Sequence, residues 1–338
     1  MPPQLPPEII HHIVNSLIPF PTSTGTTPIA LPSGDPLTKT LLSLTRTCQA
    51  TYKLASKHLY AYCMYIEGLE KVHKLVDTLS SPKGSHHARN ITSLYLSIQD
   101  VPRSSVLDSD IIALTTLLQS LAPTLTRLLM DMPTAFTQSQ EDVREIITFD
   151  LFLNPVDEKF ISAFQSLTHL THMINLHDNF QFLGKPFDPI WHSYPNLRVL
   201  GMRELPSLYG NETWEDMASF TQVDTFIMLD DEHTNSGLSK DWPAERKLNV
   251  VRVNEVEDVT SDSYGGVSGT KISFRHVRFG LGSETDPSPF NVRRATEWLR
   301  HHLLKGEDCV TSKVEELEVP VLMSKWNEED GGQGNYSD

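Results

Sequence analysis

Apolar residues recur every fourth position near the start of the chain. In "LPPEIIHHIVNSL", Ile9, Ile13 and Leu17 stand at i, i+4 and i+8, with Ile10 and Val14 beside them. That spacing predicts a short helix with one apolar face. Pro6 and Pro7 suit its first turn, where a missing N–H costs nothing, and Glu8 sits at the positive end of the dipole. Pro19 ends it, and "PFPTSTGTTPIALPSGDP" over 19–36 reads as a loop. From Leu37 the stripe resumes through Leu41, Leu44 and Cys48, and continues through Tyr52, Ala55, Leu59 and Tyr62. This predicts one or two helices, with a break near Thr47–Gln49. Leu69, Val72, Leu75, Val76 and Leu79 predict a further helix between Ile66 and Leu79, closed by "SSPKGS".

Past residue 88 the period changes. Short stretches of the form apolar-x-x-apolar-x-apolar recur: "ITSLYL" (91–96), "LTRLLM" (125–130), "LRVLGM" (197–202), "VDTFIM" (223–228), "LNVVRV" (248–253) and "VEELEV" (314–319). "LTHMIN" (170–175) lacks the last apolar residue, and "KISFRHVRF" (271–279) is a blurred copy. From 170 to 248 the starts lie 27, 26 and 25 residues apart, inside the range of leucine-rich repeats. Each unit predicts a strand whose apolar pair points inward, followed by a return segment. No unit buries its own apolar face, so neighbours must stack. Two architectures fit: an irregular leucine-rich-repeat-like α/β solenoid over 88–322, or an ordinary α/β domain whose buried strands resemble one another. "SPFNVRRATEWLRHHLLKGE" (288–307) predicts a late helix with Ala295, Trp298, Leu299, His302 and Leu303 on its apolar face, covering a flank or an end. The polar tail, 323–338, reads as disordered.

Composition narrows the function classes. The chain is 39% hydrophobic, enough for a sizeable core. Mean hydropathy is −0.27, and no apolar run approaches the roughly 18 residues of a membrane span. With no signal-type N-terminus, a cytoplasmic or nuclear protein without a membrane partner is expected. Three cysteines, Cys48, Cys63 and Cys309, make no disulfide or zinc framework. A formal net charge of −15 speaks against nucleic acid as partner. That charge is uneven. Residues 1–90 hold eight Lys/Arg against five Asp/Glu, net +3, and the remainder holds 20 against 38, net −18. The front segment is therefore electrostatically distinct and suited to an acidic partner.

No catalytic signature emerges. In "YGGVSGTK" (264–271) Gly265 and Gly269 are four apart and Thr270 precedes Lys271, the wrong order for a phosphate loop. His169, His172 and His177 lie near one another without a carboxylate at ligand spacing, and no H-E-x-x-H occurs. "LDDEH" (229–233) reads as a solvated acidic loop, and no nucleophile elbow is present. No metal, cofactor or enzymatic activity is expected. A hydrolase hidden in an irregular α/β fold would need a Ser, Cys or carboxylate pair converging in one deep pocket.

The first 65 residues resemble the F-box motif as it occurs in many fungal proteins. Leu5, Pro6, Glu8, Ile9, Ile13 and Leu17 match its opening half. Leu41, Leu44, Cys48, Tyr52, Leu59 and Tyr60 match its closing half. The loop between the halves is longer than in the compact motif, and a Tyr follows the cysteine where Trp is commoner. The resemblance implies an F-box-like helical domain over 1–65, a helical linker or cap over 66–87, and the repeat domain behind. It implies a substrate-recognition adaptor of a Skp–cullin–F-box ubiquitin ligase. By analogy Pro6, Ile9, Ile13 and Leu44 are apolar contacts to an acidic Skp-type adaptor, with Glu8 a polar contact at the helix end. Leu5, Leu17, Leu41 and Cys48 complete the matched surface. An unidentified protein target would meet the strand face opposite the inward apolar pairs, with Tyr95, Asp131, Arg203, Arg252, Glu316 and Glu318 as candidates. The competing reading is a scaffold without a ligase role, whose N-terminal helices only cap the repeats.

Overall fold

The computed structural model describes residues 6–18, 28–98, 107–131, 155–176, 194–202, 222–229, 248–254, 272–278 and 299–304. Three helices come first: α1 (Pro7–Ser16), α2 (Pro36–Leu44) and α3 (Gln49–Tyr62). Proline occupies the first turn of α1 and of α2. The Asp35 carboxylate caps α2 by accepting the Leu37 N–H at 2.8 Å, which satisfies one of the donors a helix start leaves open. The expected break near Thr47–Gln49 falls between α2 and α3. Cys48 starts α3, and its N–H donates to the Thr51 hydroxyl at 3.1 Å. Val14, Leu41 and Ala55 form the buried centre of this bundle, with Ile10, Ile18, Leu37, Leu44, Leu54 and Leu59 packed around them.

Behind the bundle lies one parallel sheet of eight strands in strict chain order. The strands are β1 (Tyr65–Glu67), β2 (Ser93–Ser97), β3 (Arg127–Asp131), β4 (His172–Asn175), β5 (Val199–Met202), β6 (Thr225–Leu229), β7 (Leu248–Asn254) and β8 (Ile272–Arg278). Seven of the eight apolar-x-x-apolar-x-apolar stretches contain a strand. The stretch at 314–319 lies outside the described residues. Between β1 and β4 the crossovers carry α4 (Leu69–Ser80), α5 (Asp108–Leu121) and α6 (Pro155–Gln165), as parallel neighbours require. The chain is thus a mixed α/β protein.

The sheet begins earlier than the sequence suggested. Residues 66–87 were expected to be a helical linker, yet Tyr65–Glu67 pairs with Tyr95, Leu96 and Ser97. The helix starts at Leu69, because Gly68 adopts φ +84, a left-handed conformation open mainly to glycine. The apolar stripe of α4 begins where that turn ends.

Register explains the repeated apolar triplets. Leu94, Leu128, Met173, Leu200 and Phe226 align across five strands. They face the helices, meeting Val72, Leu75 and Leu79 of α4, Leu114, Leu117 and Leu121 of α5, and Phe160 and Phe164 of α6. The first residue of each triplet (Ile91, Leu125, Leu170, Leu197 and Val223) is buried in the same cluster just ahead of its strand. Tyr194 follows the pattern, its hydroxyl donating to the Phe164 carbonyl at 2.8 Å.

The other face is apolar too. Tyr65, Tyr95, Leu129, Ile174, Gly201 and Ile227 align across six strands. Gly201 is buried at the tightest point of this row. A Cβ there would stand 2.6 Å from Ile174 Cγ2 and 3.2 Å from Ile174 Cβ. Ile174 cannot clear both by a rotamer change. Gly201→Ala is therefore expected to destabilise the fold by about 1–3 kcal/mol through overpacking, read as a lower urea midpoint.

Candidate functional site

Two surfaces concern function. The first is the outer side of the helical bundle. Helix α1 carries two apolar stripes, one residue apart. Ile10, Val14 and Ile18 point into the bundle. Ile9, Ile13 and Leu17 point out, 46%, 45% and 37% exposed. Leu42 of α2 and Tyr52 of α3 are also exposed large apolar residues. An exposed apolar side chain is commonplace singly; here three stand in a regular i, i+4, i+8 row. Lys39, Arg46, Lys53 and Lys57 of the bundle are exposed, and Glu8 and Asp35 are the acids among described residues 6–62.

All but one of the expected adaptor contacts can be placed. Pro6, Glu8, Ile9, Ile13, Leu17 and Cys48 are exposed, and Leu44 is half-buried against the bundle core. Leu5 lies outside the described residues. Leu41 is a correction: it is fully buried with Val14 and Ala55, because the side of α2 that carries it faces α1 and α3. It holds the bundle together and offers nothing to a partner. The Cys48 thiol is held below its ordinary range by the Thr51 hydroxyl first and backbone N–H groups at the helix start after it. A polar chain fixes α1 on α3: His58 Nε2 meets Asn15 Oδ1 at 2.8 Å, and Asn15 Nδ2 meets His11 Nδ1 at 3.0 Å. Burial holds His58 below its ordinary range.

The second surface is the sheet face opposite the helices, where a target was expected at Tyr95 and Asp131. Here too the expectation is corrected. Tyr95 is 1% and Asp131 0% exposed. They do point away from the helices, as alternation demands, but other parts of the chain lie over them. Ile29, Ala30, Leu299, Leu303 and Leu304 pack on Tyr95, Leu129, Ile174 and Ile227. Arg300, in a helical segment over 299–304, pairs with the Asp131 carboxylate. The Tyr95 hydroxyl donates to the same oxygen at 3.4 Å, and the Tyr95 ring stacks on Tyr65 at 4.5 Å. Burial pushes the Tyr95 phenol well above its ordinary range, so it stays protonated as a donor. Arg252 pairs in register with Met228 and His276. Its side chain, with Arg203, Glu316, Glu318, His177, 230–233 and 264–271, lies outside the described residues.

At the near edge of this face sit Ser93, Arg127 and His172, aligned across β2, β3 and β4. Arg127 donates from Nε to the Ser93 hydroxyl and from Nη2 to the Pro28 carbonyl, both at 2.9 Å. Burial lowers the Arg127 pKa to about 10, against which Tyr62 acts. Burial first, and Arg127 second, bring His172 down to about 4 from 6.5. The folded state thus binds His172 in its neutral form. A base with a depressed folded pKa contributes fully above the unfolded value and loses that contribution as pH falls towards the folded one. Stability should therefore decline between about pH 6.5 and pH 4. Urea midpoints at pH 7 and pH 4.5 check this: the difference should shrink in His172→Gln.

Sequence reasoning missed the strap on this face. The signal was present as "PIALP" at 28–32, three apolar residues in a row inside a loop rich in Ser, Thr, Pro and Gly. The late helix fared better. Of the residues assigned to its apolar face, Leu299, His302 and Leu303 are buried, while Ala295 and Trp298 lie outside the described residues. Among the described residues no three His, Cys, Asp or Glu gather as a metal site, and no helix is long and apolar enough to cross a membrane. No family model matches the chain, and no curated protein matches it.

Proposed function

We propose that the chain is the substrate receptor of a Skp–cullin–F-box ubiquitin ligase, with recognition rather than catalysis as its role. The observation that carries this is the outward stripe Ile9–Ile13–Leu17 beside a complete inward stripe on the same helix. A bundle serving only to cap the sheet has no use for the outer row. Leaving three aliphatic side chains in water forgoes about 1–2 kcal/mol each compared with burying them. A partner groove recovers that energy. Exposed Lys39, Arg46, Lys53 and Lys57 suit an acidic adaptor, steering encounter and discouraging basic competitors.

The sheet supports the second half of the reading. Strands paired in strict chain order, each contacting the next, are what a leucine-rich-repeat-like solenoid produces. Such a stack presents an extended face for a protein target. Since this second face is covered from β1 as far as Ile227 of β6, that target engages elsewhere, along the outer helices or the last strands.

The direct test mixes the full chain with a purified Skp-type adaptor and follows the pair by gel filtration and titration calorimetry. A one-to-one complex is expected, weakening only modestly with salt because its centre is apolar. Absence of a complex overturns the ligase reading and leaves the non-ligase scaffold.

A further inference from the structure

The segments 28–31 and 299–304 lie 268 positions apart (299 minus 31) in the sequence, yet they meet on one sheet face. The Ile29 N–H donates to the Leu304 carbonyl at 3.0 Å. Pro28 is held from below by Arg127 of β3 at 2.9 Å. The Leu31 N–H donates to the Tyr62 carbonyl, the last residue of α3, at 2.7 Å. Leu299, Leu303 and Leu304 lie with Ile29 and Ala30 in one buried cluster with the strands. Arg300 reaches down to fully buried Asp131.

From Leu31 only four residues lead to α2. The strap is therefore the front end of the helical bundle. The bundle's other ties run through α3, which continues through Cys63 and Met64 into β1 and stacks its Tyr60 ring on His87 at 4.2 Å. Those ties hold α3, and the strap adds a hold on the segment that leads into α2.

We propose that 28–31 and 299–304 form a clasp that fixes the N-terminal bundle to the sheet, with the Arg300–Asp131 pair as its pin. The late helix is then a positioning element for a module at the opposite end of the chain. Arg300 and Asp131 are positioning residues. A buried carboxylate left without its cation disfavours the arrangement that buries it, so removing Arg300 should lift the late helix, and the strap with it. This goes beyond the ligase reading and does not depend on what the α1 stripe binds.

Hydrogen exchange of the full chain, read by mass spectrometry, tests the clasp. In Arg300→Met, exchange of the amides over 28–31 should accelerate at least tenfold, while those of α5 stay within twofold of wild type. Unchanged protection over 28–31 beside a freely exchanging 299–304 overturns the proposal, since strap and helix would then be independent. A uniform acceleration across the chain overturns it as well, marking the pair as a general core contact. If that variant does not fold, Leu303→Ala loosens the same segment through lost packing on Ile29 and Ala30. Loss of protection over 28–31 is expected there too, and wild-type protection refutes the clasp.

Discussion

Replacing Pro6 by Ala and Ile9 by Asp in the full chain should abolish co-purification with a Skp-type adaptor while leaving the chain folded. Ile9 is 46% exposed in the free protein, and a substitution at such a site changes stability by only about 0.5 kcal/mol either way. In an apolar groove the same aspartate is buried without a counter-charge. That costs several kcal/mol, and each 1.4 kcal/mol is about a tenfold loss of affinity. A complex weakened by about two orders of magnitude does not survive washing. The matched control is Ile10→Asp, one residue along. Ile10 packs against the Val14–Leu41–Ala55 centre, so this change should unfold the bundle and be visible by circular dichroism without any partner. Undiminished pull-down by Pro6→Ala/Ile9→Asp would sink the docking hypothesis. The two isoleucines are neighbours in sequence, and their burial tells them apart.

That pair also shows where sequence reading succeeds and where it stops. The period of four found the helix and its apolar character, because helix geometry is local. It did not reveal that one of the helix's two stripes is packed in the bundle and the other exposed, since both lie within one broad apolar arc. Leu41 was misplaced for the same reason. The repeated triplets located β2 to β8 because an inward apolar pair on every strand is a requirement of stacking. Their other face reads as outward and polar on the strength of Tyr95, Asp131, Arg203, Arg252, Glu316 and Glu318. In a parallel sheet both faces are commonly covered, and Leu129, Ile174 and Ile227 on that face carried the hint. What covers them could not be read locally. Ile29 and Leu304 are brought together only by the completed sheet, and no periodicity links residues so distant in sequence.

The largest expected effect on stability lies in the row facing the helices. Leu128 is 1% exposed and aligned between Leu94 and Met173, within the cluster shared with α5 and α6. Leu128→Ala removes the side chain from a site where all these neighbours belong to regular elements and collapse poorly into the gap. A loss of about 3–5 kcal/mol is expected, the transfer term plus the cavity left behind. Urea unfolding followed by circular dichroism measures it. The effect should not stay local. In a stack where each unit is stabilised chiefly by its neighbours, weakening one interface uncouples the strands on either side. The β1–β2 end, attached to the helical bundle, and the end from β4 onward should then unfold at separate denaturant concentrations, giving a broadened or biphasic transition. A single sharp transition, shifted but unbroadened, would mean that the eight strands fold as one cooperative block, and that the stacked-repeat reading of this sheet is wrong.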